Sequence, residues 1–258
     1  MIRKILITSL IALCTAALLG CWFHFVGALS AEGRRQARCG QVEVRLLDSL
    51  ESAIVDREEV RHWMESRTLG RVTEQINLDT LEQQILSRGE VMTAQVFTAG
   101  PQTVAVHITQ RKPVVRFENG KGRWYTDPEG YLFPVTHSVD VPVVTGNLPF
   151  SVEKSYRGET PENTRAWIAG IIELARYIES KPQLKKEIGQ IDIAPDGDIV
   201  LYTRTGGPAI IFGDSGDYET KFRKLEAWWR NIAPQVEEGK TYKTINLKYN
   251  QQIICKQL

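Results

Sequence analysis

The chain has 258 residues, with 32 Lys and Arg against 31 Asp and Glu and a formal net charge of +1, a balance that excludes the basic footprint of a nucleic-acid binder. Two of its four cysteines, Cys14 and Cys21, lie in an apolar N-terminal run, and Cys39 and Cys255 stand near opposite ends of the remainder; this is neither a disulfide framework nor a metal-ligand spacing. The roughly 220 residues beyond the run suffice for two domains with cores of their own.

The apolar run extends over residues 5–26, entered through Arg3 and Lys4. Its roughly 22 uncharged residues, at about 1.5 Å each, span about 33 Å, the thickness of a bilayer core. A signal-peptide h-region is shorter, about 7 to 15 residues. A lipoprotein cleavage box at Leu18-Leu19-Gly20-Cys21 would leave Trp22, Phe23, Phe25 and Val26 without a reason to be apolar. A retained span with Trp22 near the far interface accounts for all of them. Arg34, Arg35 and Arg38 follow the run closely, so the positive-inside count does not settle the orientation.

Beyond the run, Val42, Val44 and Leu46 alternate with Glu43 and Arg45, the period of a half-buried strand over 42–47. Asp56 followed by Glu59 predicts a helix start, with Val60, Trp63 and Met64 on one face. Asn77 predicts a second helix, striped by Leu78, Leu81 and Ile85 and ending by Gly89. Two strands, 91–98 and 103–110, are joined by Ala99-Gly100-Pro101-Gln102. The order is strand, helix, helix, strand, strand, that of a POTRA domain, a module that commonly binds other chains.

After Pro113 the texture changes to short strands at 114–118, 123–126, 131–134 and 141–145, broken by Asn119-Gly120, Asp127-Pro128-Glu129-Gly130 and Gly146-Asn147. The acidic turn carrying Asp127 and Glu129 reads as a solvated loop. Thr160 and Pro161 predict a helix start, Ile168, Ile171, Ile172, Ala175 and Ile178 a buried stripe, and Lys181-Pro182 its end. Strands at 190–194, 199–203 and 209–212 read as an antiparallel meander. A helix over 217–232 puts Phe222, Leu225, Trp229 and Ile232 inward, leaving Trp228 outward as the candidate interface residue of the tryptophan pair. Strands at 244–249 and 252–256, joined by Asn250-Gln251, end the chain.

Groups able to do chemistry are sparse. Gly213-Asp214-Ser215-Gly216 is similar to the nucleophile loop of chymotrypsin-like proteases, in which a histidine held by aspartate activates serine. Here Asp217 follows where that family has glycine, and His62, His107 and His137 lack its histidine context. No paired metal-ligand spacing and no phosphate-cradling glycine loop occurs in the sequence. The sequence therefore assigns no catalytic, cofactor-binding or metal residue.

Several segments together resemble the FtsQ/DivIB cell-division proteins. They are 104–108 running into Gln110-Arg111-Lys112-Pro113-Val114-Val115, similar to a Glu-Arg-x-Pro junction; Tyr125-Thr126-Asp127 with Gly130 and Leu132-Phe133-Pro134; and Val141-Pro142-Val143-Val144-Thr145-Gly146. Ile211-Phe212-Gly213, residues 221–225 and Ile245-Asn246-Leu247-Lys248-Tyr249 extend the likeness to the C-terminus. The sequence departs from the family at Gln110, at Asn246 and at Arg88-Gly89-Glu90-Val91, where an acidic residue, aspartate and Pro-Trp-Val are usual. The short tail and Cys39 are similar to the Bacteroidetes-type variant.

The resemblance implies an α+β protein: a cytoplasmic tail 1–4, a transmembrane helix 5–29, a juxtamembrane linker 30–40, a POTRA domain (βααββ) over 41–112 and a β domain over 113–258 ending in an edge strand. It implies a non-enzymatic, single-pass divisome scaffold in the inner membrane. The N-terminus would be cytoplasmic and the bulk periplasmic and septal, recruiting coiled-coil membrane proteins of the FtsB and FtsL kind, without cofactor, nucleic acid or small-molecule substrate. In the family the last strand carries the contact, which maps onto Tyr249, Gln251, Gln252, Ile253, Ile254, Cys255 and Lys256, by strand addition; alternation leaves open whether Ile254 faces outward or into the core. The alternatives are a POTRA protein of outer-membrane assembly or secretion, and a membrane-anchored serine hydrolase resting on Ser215.

Overall fold

The structure, a computed structural model, describes residues 15, 17–25, 36–48, 53–235, 242–249 and 252–257. Residues 17–25 are helical, and no helix among the described residues is long and apolar enough to cross a membrane. The tail 1–4 and most of the expected span 5–29 and linker 30–40 lie outside the described residues, as does the expected turn Asn250-Gln251. The chain forms two compact units, one of Met1–Ser49 and Val55–Thr109, the other of Leu50–Ile54 and Gln110–Leu258.

The first unit runs β1 (Gln41–Leu46), α1 (Arg57–Thr68), α2 (Leu78–Leu86), β2 (Val91–Gly100) and β3 (Thr103–Gln110), with a 3-10 turn at Thr73–Gln75 between the helices. Both helix starts lie where the short polar residues place them. Asp56 Oδ1 accepts from the amides of Glu58 and Glu59 at 2.9 and 3.1 Å, and Asn77 Oδ1 accepts from that of Thr80 at 2.9 Å, each satisfying donors that the first turn leaves free. The sheet order is β1-β3-β2, with β1 parallel to β3 from Gln41↔Thr103 to Leu46↔Ile108. A parallel pair needs a long crossover, and the two helices lie within it. Val60 and Met64 of α1 and Leu81 and Ile85 of α2, each pair one turn apart, close on Val44, Val104, Val106 and Ile108 of the sheet. Burying each such side chain contributes about 1.5–3 kcal/mol.

The second unit is one ten-stranded sheet ordered β13-β12-β11-β10-β9-β7-β4-β5-β6-β8. In chain order its strands are β4 (Val115–Asn119), β5 (Gly122–Thr126), β6 (Tyr131–Pro134), β7 (Val143–Gly146), β8 (Gly158–Glu159), β9 (Ile188–Ile193), β10 (Ile199–Thr203), β11 (Ala209–Gly213), β12 (Tyr242–Asn246) and β13 (Ile254–Gln257). The helices are α3 (Arg165–Ser180), α4 (Pro182–Glu187) and α5 (Tyr218–Asn231). The β9-β10-β11 segment is the antiparallel meander that the sequence predicts. Of the parallel pairs, β7·β9 and β11·β12 take α3 and α5 into their crossovers, whereas β4·β7 is connected through β5 and β6. The expected stripe of α3 is buried in full and packs with Phe117, Trp124, Ile191, Leu201 and Phe212 of the strands.

Three sequence expectations need correction. Pro161 has ψ 135 and precedes a 3-10 turn at Glu162–Thr164, so α3 begins at Arg165 behind Thr164 and not at Thr160-Pro161. Pro182 stops α3 as the sequence predicts, and it also occupies the first turn of α4, where its missing N–H costs nothing. The acidic turn is solvated at Glu129 but not at Asp127: Asp127 is 2% exposed, Arg111 Nη1 donates to its Oδ2 at 2.6 Å, and its Oδ1 accepts from the amides of Glu129 and Tyr131 at 3.1 and 2.8 Å. The tryptophan pair is reversed, since Trp228 is buried at 4% with its Nε1 unpartnered while Trp229 is half-buried and Ile232 is exposed. Trp228 therefore packs inside its own domain and does not face outward as the sequence reading placed it.

Candidate functional site

The terminal edge is built from β11, α5, β12 and β13. β11 leaves through Gly213, whose φ of 83 is open to glycine, and an added Cβ there would stand 2.9 Å from Lys248 Cγ. α5 then crosses over the sheet, with Phe222, Leu225 and Trp228 in the core. Trp228 meets the Tyr242 ring of β12 edge-on at 5.8 Å. β12 runs parallel to β11 and antiparallel to β13, through Ile245↔Cys255 and Asn246↔Ile254. β13 ends the sheet, and among the described residues no strand lies on its other side.

Alternation along this last strand now has a direction. Ile253 and Cys255 pack against the core, whereas Ile254 is 45% exposed and Lys256 is exposed. Ile254 thus faces outward. Gln252 is exposed, Gln251 lies outside the described residues, and Tyr249 is 50% exposed three residues past β12, which ends at Asn246 and not at Tyr249 as the sequence predicts. The structure therefore gathers Tyr249 and residues 252–256 at one edge and excludes Trp228 from it.

Lysines position this edge, and the sequence reading missed them. Lys224 Nζ donates to the carbonyls of Leu247 and Tyr249 at 2.9 and 2.6 Å, tying α5 to the chain leaving β12. Burial and then the charge of Lys221 hold the Lys224 ammonium below its usual range. Lys248 Nζ donates to Asp198 Oδ2 at 2.5 Å, and this bond raises its pKa. The one available signal was spacing: Lys221 and Lys224 flank Phe222 and Leu225 on the buried side of α5.

The protease-like loop is a helix lead-in. Lys221, 6% exposed, donates to Asp214 Oδ1 at 2.7 Å and to the Asp214 carbonyl at 2.9 Å; the bond to Lys221 holds the Asp214 carboxyl below its usual range. Asp217 takes the left-handed conformation at φ 47. Ser215 packs on α3, where a Cβ on Gly170 would stand 2.3 Å from its hydroxyl. His62 is exposed beside Glu65 on α1, His107 meets the Phe97 ring, and the His137 carbonyl accepts from Tyr125 Oη. Among the described residues no group of three or more His, Cys, Asp and Glu could hold a metal ion.

Among the described residues β13 has no strand on its outer side, and an apolar side chain, Ile254, is directed outward there. Comparison with known families agrees with the architecture. Residues 37–109 match a POTRA-like domain. Residues 112–256 match the family described as FtsQ/DivIB, C-terminal related. No curated protein matches the chain. Since the second match alone takes in more than half of the sequence, the chain belongs to the FtsQ/DivIB family.

Proposed function

We propose that the protein is a non-enzymatic divisome scaffold that recruits coiled-coil membrane proteins of the FtsB and FtsL kind by adding their backbone as a strand along β13. The observation that carries this reading is the position of β13 at the end of the sheet with Ile254 outward. A row of free N–H and C=O groups is completed by another chain, and the outward apolar side chain gives that chain a pocket or ridge to match.

The proposal includes the anchor: tail 1–4 cytoplasmic, span 5–29 in the inner membrane, linker 30–40, POTRA domain 41–112 and β domain 113–258 on the periplasmic side, at the septum. The helical residues 17–25 support it, because Leu18, Trp22 and Phe23 are 69, 65 and 75% exposed, apolar surface that a bilayer would cover. Depletion of the protein followed by microscopy tests the role. Filaments or chains of undivided cells are expected, and cells dividing normally without it would contradict the reading.

A further inference from the structure

At the other part of the large sheet the β4–β5 hairpin borders a concavity of about 680 Å³, walled by the two strands, the Asn119-Gly120-Lys121 turn and the segments carrying Ser138 and Lys154. Four cations line it, Arg116, Lys121, Arg123 and Lys154, against the single carboxylate of Glu118. The local excess of three positive charges contrasts with a net charge of +1 for the whole chain. A cleft lined by one sign of charge focuses its field on whatever enters.

The pairing inside the concavity is incomplete. Glu118 stands opposite Arg123 across the hairpin and takes its Nε at 3.1 Å. The same carboxylate is 3.7 Å from Arg116 Nε, too far for a hydrogen bond, and that Nε is shielded from water with no partner. One carboxylate is thus shared between two guanidiniums and satisfies one of them. Lys121 Nζ donates to Ser151 Oγ, outside the lining of the concavity, at 2.8 Å and, among the described residues, carries no carboxylate partner there.

We propose that this concavity is a docking site for an acidic peptide segment of a partner protein. An incoming carboxylate takes Arg123, Glu118 closes on Arg116, and further carboxylates meet Lys121 and Lys154. The guanidinium fork matches carboxylate geometry, and Arg123 already donates its Nε–H to one oxygen of Glu118. The cations are spread along a hairpin and one neighbouring segment rather than converging on one point, which suits an extended chain bearing several acids more than a single small anion. In the strand order, β4 and β5 are separated from β13 by β7, β9, β10, β11 and β12, so this site is independent of the terminal edge and either can fail without the other.

The test is titration of the full chain in detergent with a fluorescent hexaglutamate peptide at low and high salt. Saturable binding is expected, weakened by salt. Lys121→Gln/Arg123→Gln/Lys154→Gln should weaken it by about tenfold or more, since each exposed ion pair is individually modest. Lys185→Gln/Lys186→Gln/Lys243→Gln, which removes the same charge from other exposed positions, should leave it within about twofold. Glu118→Gln, which keeps every cation, should tighten binding, so the site is still tested if the first variant melts early. Equal losses in the two triple variants, no saturable binding by the parent chain, or full displacement of the peptide by inorganic phosphate or anionic phospholipid vesicles at matched charge would overturn the proposal.

Discussion

Asp127 shows how far a residue's surroundings can depart from what its neighbours suggest. In Asp127-Pro128-Glu129-Gly130 the composition is that of an exposed turn, and a turn does form, with the Gly130 amide bonded to the Asp127 carbonyl at 3.1 Å. The carboxylate is nevertheless inside, because Arg111 comes from the end of β3 to meet it and lies over the Tyr131 ring at 3.5 Å. The neighbouring Gln110 is buried as well, its Oε1 accepting from the Ile54 amide at 2.9 Å. No local pattern announces a partner 16 positions away. Asp127→Ala leaves Arg111, whose side chain is 15% exposed, without its counter-charge, and should cost about 3–5 kcal/mol. Urea unfolding measures this, and Asp127→Ala/Arg111→Met should recover a large part of the loss; a single variant as stable as the parent would contradict the buried pair.

At the scale of elements, what the sequence made legible was periodicity. β1 alternates and β3 buries Val104, Val106 and Ile108, the helices of the first unit carry apolar residues one turn apart behind Asp56 and Asn77, and the α3 stripe is continuous. α5 was harder because its buried face includes a lysine. Lys221 and Trp228 are seven residues apart and share that face with Phe222 and Leu225; counting Lys221 as polar turns the apparent stripe toward Trp229. Burial of the ammonium is made possible by Asp214 beyond the helix start and by the Phe212 ring at 5.0 Å, neither visible in helical spacing. β8 was missed because two residues paired only to the start of β6 have no period to detect.

The same contact at the α5 start sets a pH dependence. The Asp214 carboxyl is lowered below 3.8 in the folded protein, so folding is favoured by the ionised form. Its contribution is complete above the unfolded value and disappears as pH falls through the folded one. The side chain is 86% exposed, so solvent screening keeps the contribution under about 1 kcal/mol. Urea midpoints measured between about pH 5 and pH 2 should therefore fall less steeply for Asp214→Asn than for the parent. Identical acid-side slopes would remove Asp214 from the account.

For the whole molecule, the decisive feature is where the chain stops pairing. Crossovers through α3 and α5 place successive strands outward along the sheet until β13 is left at its end. Alternation fixed the period of this strand in the sequence but not its face; packing of Ile253 and Cys255 on the core decides that Ile254 points out. Tethering by the proposed span would confine this edge to the membrane surface, where tethered partners meet it at high effective concentration, so a contact of a few residues can suffice.

Capture of an FtsB-like partner by the full chain carrying Ile254→Pro, alongside Ile254→Ala, tests this most directly. Proline removes a backbone donor and bends an edge strand, whereas alanine keeps the backbone and trims only the outward side chain. The account predicts that the proline variant, melting like the parent, loses capture while the alanine variant keeps part of it. Undiminished capture by the folded proline variant would contradict strand addition at β13.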